Sequence, residues 1–146
     1  MEKNFIRVRS IKDITISSSL LLIGIIRSIV FDSNGAIYGG ISLIILGLIL
    51  LFVLKSGYKD TESGEFYKKI DLSFNKKMKS SLLSALASSP EKINPTDEGE
   101  GIRLEIFYSK ASGKAFLQLF EYVPFQYHPC SEMYEYEIER IKNLVK

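Results

Sequence analysis

ITISSSLLLIGIIRSIVF, residues 14–31, and AIYGGISLIILGLILLFVL, residues 36–54, are two nearly uninterrupted apolar stretches that lie back to back in the chain. A helix needs about 20 residues to cross the hydrocarbon core of a bilayer, which is about 30 Å thick, and each stretch is close to that length. We therefore predict a two-helix transmembrane hairpin embedded in a lipid bilayer. Its first span covers residues 14–31, an outer turn follows at 32–36, and the second span covers 37–55.

A cleaved signal peptide is the main alternative for the first apolar stretch, because basic residues precede it. The stretch is longer than the apolar region of a usual signal peptide, and no A-x-A-like cleavage site follows it. A second long apolar stretch begins almost at once. These features favour a membrane-spanning helix.

The distribution of basic residues predicts the orientation of the hairpin. Lysine and arginine accumulate on the cytoplasmic side of membrane helices, whereas the short connector has neither and carries Asp32. The basic residues flank the hairpin in sequence: Lys3, Arg7, Arg9 and Lys12 precede it, and Lys55, Lys59, Lys68 and Lys69 follow it. We therefore expect a multi-pass protein of the inner (cytoplasmic) membrane, with the N-terminal segment 1–13 and the C-terminus both in the cytoplasm.

The chain after the hairpin is long enough for one small domain. We place a linker at residues 56–64 and a cytoplasmic domain at residues 65–146. The net charge of +2 over 146 residues is too small to predict binding to duplex nucleic acid. The single cysteine, Cys130, allows no disulfide within this sequence and is consistent with a reducing compartment.

Periodicity in the domain predicts a small α+β fold, an antiparallel sheet with two helices in the order β-α-β-β-α. Alternating apolar and polar residues predict the three strands, at 66–74, 102–108 and 115–123. Asn75 is a favourable N-cap for the first helix, which Pro90 ends. Ser131 is expected to cap the last helix, whose apolar stripe comprises Tyr134, Ile138, Ile141 and Val145.

A five-residue turn at 110–114 joins the second and third predicted strands. This turn would place Arg103 opposite Glu121 and Leu104 opposite Phe120, with opposite charges on one face and apolar groups on the other. The second face also carries apolar residues, so we expect helices, another subunit or lipid to cover both faces.

Small residues form stripes on both predicted spans, and they include Gly24, Ser28, Gly40 and Gly47. Such spacing lets helix backbones approach closely in lipid. The stripes either pack the hairpin on itself or pack subunit against subunit in a homo-oligomer. Arg27 is the one full charge inside the spans. It either reaches the outer interface with its long side chain or lines a water-filled pore in an oligomer.

The domain is unusually rich in aromatic residues, which either build the core, contact the membrane interface or form a binding surface. Lysines near the inner leaflet either serve topology and solubility or form a basic ring that binds a small anionic ligand such as a nucleotide. The residues that we predict for a ligand or partner surface are Lys68, Lys69, Lys76, Arg103, Tyr108, Tyr122 and Tyr127.

No set of residues predicts catalysis, a metal or a cofactor. His128 and Cys130 are too few for a zinc site, which takes three or four nitrogen or sulfur ligands from the protein. Ser112-Gly113-Lys114 lacks the upstream glycine of a phosphate-binding loop and is better interpreted as a hairpin turn. We therefore predict that the protein is not an enzyme.

Two functions remain open at this point. One is an oligomeric membrane protein whose cytoplasmic domain senses a ligand or protein partner and acts on the membrane, as a regulated channel or membrane-perturbing effector. Its layout is similar to that of ligand-gated membrane effectors of prokaryotic antiviral defence. The other is a membrane anchor that holds a cytoplasmic protein-interaction module at the bilayer.

Overall fold

The computed structural model describes residues 3–31 and 33–145. It divides into two compact units, each of which is described by itself. Unit 1 contains the described residues up to Ile6 and those from Tyr58 onward, and unit 2 contains Arg7–Gly57. The described residues up to Ile6 therefore belong to the same compact unit as the residues from Tyr58 onward.

Unit 2 consists of α1 (Ile11–Val30) and α2 (Asn34–Val53), each of 20 residues. Ser33 caps α2 by accepting a hydrogen bond from the Ala36 backbone amide. The outer turn predicted at 32–36 is therefore too long, because Asn34 and Gly35 already form the first turn of α2. The connection is shorter than predicted, and Asp32 within it lies outside the described residues.

The Asp13 carboxylate joins the two ends of the helical hairpin. Ser10 and Asp13 form a capping box at the start of α1, in which Asp13 Oδ2 accepts from the Ser10 amide at 2.8 Å. The same carboxylate accepts from the Ser56 amide at 2.8 Å and from the Ser56 hydroxyl at 2.7 Å. One side chain thus satisfies backbone donors at the beginning of α1 and just after α2.

Both helices are long and apolar enough to cross a membrane, as predicted. Only 17% of each apolar window is buried inside the structure. The core helix of a water-soluble protein would be mostly buried. The large exposed side chains include Leu22, Ile26, Ile45 and Phe52.

Unit 1 is built on an antiparallel sheet with one α-helix. The strands are β1 (Phe5–Val8), β2 (Gly57–Asp60), β3 (Phe66–Asn75), β4 (Gly101–Ser109), β5 (Lys114–Val123), β6 (Gln126–Pro129) and β7 (Tyr134–Glu137). The boundary between the units falls within β1 and β2, since Arg7, Val8 and Gly57 belong to unit 2. Their order in the sheet is β1-β2-β3-β4-β5-β6, and β7 pairs with the other half of β5. The helix α3 (Lys79–Ser88) follows a short 3-10 turn at Lys76–Met78. Asn75, predicted as the N-cap of this helix, caps the 3-10 turn instead, and the N-cap of α3 is Met78.

Three sequence predictions for this unit are corrected. The prediction of a last helix is wrong, because Tyr134–Glu137 is strand β7 and only Ile138–Ile141 forms a short 3-10 turn. The linker assigned to 56–64 contains strand β2. The described part of unit 1 therefore has one α-helix, and only the β-α-β-β part of the predicted order is found, from β3 to β5.

The register of the β4–β5 hairpin differs from the prediction by one residue. Ser109 pairs with Lys114, so that Arg103 lies opposite Phe120 and Leu104 opposite Leu119. The loop has four residues rather than five, and Gly113 adopts a positive φ of 71° with its amide donating to the Ser109 carbonyl. Since side chains alternate between faces, a one-residue shift places Glu121 on the other face from Arg103.

The main core lies on one face of this sheet, under α3 and the short 3-10 turns. Its fully buried members include Phe74, Leu86, Ile102, Leu104, Ile106, Leu117, Leu119 and Ile141. The Tyr136 hydroxyl donates to the Leu86 carbonyl and so fixes β7 to the end of α3. The site described next occupies the opposite face.

Candidate functional site

The opposite face of the sheet carries charged and aromatic side chains in adjacent rows. Alternation along β4 directs Arg103, Glu105 and Phe107 to this face. The pairing registers add the neighbours that share it: Ser73, Asp71 and Lys69 on β3, Phe120, Gln118 and Phe116 on β5. Tyr122 and Tyr127, which pair with each other across β5 and β6, extend the face to the edge of the sheet.

A short N-terminal strand covers one half of this face. The ring of Phe5 stacks on Phe107 with centroids 4.2 Å apart, and it meets Tyr67 edge-on at 5.2 Å. Phe107, Tyr67 and Phe116 are consequently buried in a second, aromatic core. The sequence predicted a cover of helices, another subunit or lipid, whereas residues from the beginning of the chain provide it.

The other half of the face remains open, and we call it the arginine–aromatic surface (Arg103, Phe120, Tyr122 and Tyr127). The Arg103 guanidinium lies 4.1 Å from the centroid of the Tyr127 ring and 5.6 Å from that of Phe120. The Tyr122 and Tyr127 rings are 5.2 Å apart. Tyr122 is 46% exposed. A cation stacked between aromatic rings at the surface is typical of residues that dominate binding energy in protein interfaces.

Glu105 fixes the orientation of Arg103. Its carboxylate accepts from Arg103 Nη2 at 2.7 Å and from Lys69 Nζ at 2.9 Å, and its side chain is only 10% exposed. Lys69 also lies 3.1 Å from Asp71. The pairing of one buried carboxylate with two cations keeps the guanidinium plane in place, as bidentate and stacked arginine sites require.

The arginine–aromatic surface and its ion pairs have no net charge. Two cations, Arg103 and Lys69, are balanced by two carboxylates, Glu105 and Asp71. Arg103 Nε is buried and has no hydrogen-bond partner among the described residues. The surface thus offers flat aromatic area rather than a concentrated positive field, which suits a polar–aromatic partner better than a multiply charged anion.

The predicted ligand residues fall into two separate groups. Lys69, Arg103, Tyr122 and Tyr127 lie on the face just described, and the structure brings the last three together. Lys68 and Tyr108 pair with each other but project to the opposite face, where Tyr108 is buried in the core.

Lys76 does not join the arginine–aromatic surface either. It lies in the 3-10 turn before α3 and forms an ion pair with Glu121 at 3.0 Å. Lys79 contacts the same carboxylate, and hydrogen bonds from both lysines hold the pKa of Glu121 below its usual range. A basic ring of these lysines therefore has an acidic partner within its own chain.

The small residues of the apolar helices are used within the hairpin. A Cβ placed on Gly24 would lie 2.7 Å from the Gly40 carbonyl oxygen, and one on Gly40 would collide with the Ser28 hydroxyl. A Cβ on Gly47 would meet Leu21 at 2.9 Å. Gly24, Ser28, Gly40 and Gly47 thus allow α1 and α2 to pack against each other, which is the first of the two predicted roles.

Arg27 lies beside α2 at the level of Gly39. A Cβ on Gly39 would be 3.2 Å from Arg27 Nε and 3.3 Å from the guanidinium carbon. The absent side chain of Gly39 therefore leaves room for the arginine, while Arg27 itself stays exposed on the surface of the helical unit.

The segment His128-Pro129-Cys130 forms the end of β6 and the start of the connection to β7. His128 pairs with Glu121 across the strands, and Cys130 packs partly buried against the core. Burial raises the pKa of the Cys130 thiol, which keeps it in the unreactive protonated form at neutral pH. Among the residues that the structure describes, no three His, Cys, Asp or Glu side chains are grouped so as to hold a metal ion.

Four residues with clear structural roles were not singled out from the sequence: Phe5, Asp13, Glu105 and Phe120. Glu105 and Phe120 were visible only as members of alternating strands, and the incorrect register separated Phe120 from Arg103. Asp13 had a detectable signal, because Ser10-x-x-Asp13 before an apolar run matches a capping box.

The chain matches no family model, no curated protein and no solved structure.

Proposed function

We propose that this protein is a two-pass membrane anchor that holds a protein-interaction module at the surface of the bilayer, and that the partner binds the arginine–aromatic surface. The observation that carries the proposal is the cluster of Arg103, Tyr127 and Tyr122, a stacked cation and two rings at an open edge of the sheet. Arginine and tyrosine are, with tryptophan, the residue types enriched in the energetic centres of interfaces.

The packing of the hairpin supports an anchor. The close-approach residues of α1 and α2 face each other within one chain, so this stripe is already occupied. The remaining helix surface consists of large apolar side chains, which suit contact with lipid tails. This surface and the basic residues that flank the spans support our proposal that the protein resides in the inner membrane.

The composition of unit 1 supports the same-side placement of both termini. The described residues before Arg7 and those after Gly57 belong to one compact unit. A bilayer cannot divide a folded unit, so two crossings by α1 and α2 bring the chain back to the side on which it began. The positive-charge bias supports a cytoplasmic location for that side.

A photo-crosslinking experiment on the full-length protein tests the proposal. A photoreactive phenylalanine analogue at Tyr122 is expected to give one discrete adduct in cells. The adduct is expected to disappear in Arg103→Ala and to weaken in Arg103→Lys, because lysine keeps the charge but not the planar stacking. Exchange of residues 11–53 for an unrelated two-helix hairpin should leave the adduct unchanged.

Lys92→Ala is the matched control, since Lys92 is an exposed basic residue that does not belong to the arginine–aromatic surface. Adducts that persist in both Arg103 variants would contradict the assignment of the surface. Adducts that vanish when only the hairpin is exchanged would contradict the anchor and favour a function of the helices themselves.

The exposed Arg27 favours a second candidate, an oligomeric channel or membrane effector regulated by the cytoplasmic domain. A charge on the outer surface of an apolar hairpin is costly in lipid unless it reaches the interface or meets another subunit. If subunits assemble around Arg27, Arg27→Leu will abolish membrane permeabilisation without unfolding unit 1. Unchanged permeabilisation in that variant would remove the channel.

A further inference from the structure

The tip of the β5–β6 hairpin has an unusual backbone. Val123 pairs with Gln126, so Pro124-Phe125 is a two-residue loop. Phe125 has φ 77°, and among the described residues it is the one non-glycine residue with positive φ. Proline followed by positive φ is the pattern of a type II turn, whose second central position normally requires glycine or asparagine. A bulky aromatic residue there is a genuine exception.

The side chain at this strained position does not pack into unit 1. Phe125 is 96% exposed, and the neighbouring Tyr122 and Val123 are 46% and 44% exposed. Positions that keep an unfavourable backbone conformation cluster at functional sites. A glycine would fit the backbone better, and the exposed ring of Phe125 buries almost no apolar surface within unit 1. The ring therefore requires an explanation outside unit 1.

The charges near the tip argue against an electrostatic partner. Basic side chains at this end of the sheet are Lys76, Lys77 and Lys79, and the acidic ones are Glu98, Glu100 and Glu121. They balance one another. Any surface that receives the tip therefore has to attract it through apolar and aromatic contact.

The chain itself restricts which surface is available. Two residues separate β1 from α1, and three residues, 54–56, separate α2 from β2. Three extended residues span only about 10 Å. If the apolar helices lie in a bilayer, unit 1 is held at its surface, where the effective concentration of the interface is high.

We propose that the Pro124-Phe125 tip enters the interfacial region of the same bilayer that holds the apolar helices, an inference that rests on the proposed membrane residence of α1 and α2. Exposed aromatic side chains favour the level of the lipid headgroups. Phe125 then acts as a lipid contact of unit 1. The balanced charges predict insertion into zwitterionic lipid, independent of salt.

Tryptophan fluorescence tests this proposal directly, because the sequence contains no tryptophan. Three single-tryptophan variants of the full-length protein are reconstituted into phosphatidylcholine vesicles with and without brominated acyl chains. Phe125→Trp reports the tip, Ala111→Trp reports an exposed loop at the opposite end of the sheet, and Leu46→Trp reports a lipid-facing position of α2.

We expect brominated lipid to quench Phe125→Trp and Leu46→Trp, with emission shifted to shorter wavelength, and to leave Ala111→Trp unquenched. The quenching of Phe125→Trp should not change in high salt. Quenching of Leu46→Trp without quenching of Phe125→Trp overturns the tip contact while the membrane proposal stands. If Leu46→Trp is also unquenched, both proposals fail.

A shift of Phe125→Trp emission without bromine quenching would also overturn the lipid contact, because a second copy of the chain or a protein pocket would then cover the tip. Phe125 is fully exposed and its replacement is conservative, so the variant should fold like the parent chain. A Leu46→Trp sample with the same sedimentation behaviour provides the check on assembly.

Discussion

The ring of Phe5 lies flat on the ring of Phe107, with centroids 4.2 Å apart and planes within 6° of parallel. Phe5 precedes the first apolar helix, and Phe107 is in the middle of β4. The two ends of the chain are therefore parts of one folded unit, although a 51-residue helical unit, Arg7–Gly57, separates them in sequence. A fragment that begins after the helices lacks this contact.

Phe5→Ala should destabilise unit 1 although the residue lies in a four-residue strand at the N-terminus. Removal of a buried phenylalanine ring costs about 3–5 kcal/mol, and half-burial of Phe5 reduces this to about 2 kcal/mol. Chemical denaturation of the full-length protein in detergent measures the change. Ile6→Ala is the matched control, because Ile6 is 47% exposed. Equal losses in both variants would contradict a specific role for the ring.

Local patterns in the sequence predicted the elements that are stabilised by their own periodicity. Alternation located β3, β4 and β5, and Asn75 with the apolar spacing after it located α3. The apolar stretches located α1 and α2. Each of these patterns involves residues that are close together in the chain, so it can be recognised from the sequence alone.

The errors arose where distant residues decide the structure. Tyr134, Ile138, Ile141 and Val145 have helical spacing, but residues 134–137 instead pair with the half of β5 that would otherwise be an open edge. No local pattern shows that this edge is available. The arginine–aromatic surface was predicted in part for the same reason: its residues were named, but the register that brings Phe120 to Arg103 depends on a four-residue loop with Gly113 at positive φ.

The close packing of the apolar helices predicts a strong effect of side chains at Gly40. A Cβ there would lie 2.7 Å from the Gly24 carbonyl oxygen and would collide with the Ser28 hydroxyl. Gly40→Val should therefore separate the helices and lower the melting temperature in detergent. Gly35→Ala is the control, since nothing lies within 4 Å of a Cβ at Gly35. A Gly40→Val protein as stable as the control would show that the helices do not pack through this stripe.

The ion pair between Lys3 and Asp60 predicts a pH dependence of stability. Lys3 Nζ lies 2.8 Å from Asp60 Oδ2, and Asp60 is fully buried. Burial alone raises the pKa of Asp60, but hydrogen bonds from Lys3 and Ser63 outweigh it and hold that pKa well below its usual range. The hydrogen bond to Asp60 raises the pKa of Lys3 to about 12.

The sign follows from these directions. Asp60 has a lower pKa in the folded than in the unfolded chain, so its contribution is complete above the unfolded value of 3.8 and is lost as the pH falls below it. Lys3 has a raised pKa, so its contribution is complete below 10.5 and is lost as the pH rises toward 12. Melting temperatures of Asp60→Asn and the parent chain should differ most between about pH 4 and pH 10. A difference independent of pH would contradict the linkage.

Relief of backbone strain at Phe125 predicts a gain in stability. Glycine removes the steric cost of positive φ, which is roughly 1–2 kcal/mol for a residue with a side chain. Phe125→Gly should raise the melting temperature of unit 1, and Phe125→Asn should raise it less. Phe125→Ala keeps the strain and loses the ring, so it should bring no gain. A stabilising Phe125→Ala would mean that the ring, and not the backbone, carries the cost.

The order of the ion pairs around Arg103 predicts which carboxylate matters. Glu105 is the buried partner of two cations, and its neutralisation removes the ion pair of Arg103 and leaves Lys69 paired with the more exposed Asp71. Glu105→Gln should cost about 2–3 kcal/mol, because an interior charge loses its partner. Asp71→Asn should cost less than about 0.5 kcal/mol, since the Asp71 side chain is 43% exposed and solvent screens its pair with Lys69. Denaturant titration of both variants compares the two costs. Equal values would mean that Glu105 does not hold the guanidinium against Tyr127, and the partner-binding geometry would then have to come from the aromatic rings alone.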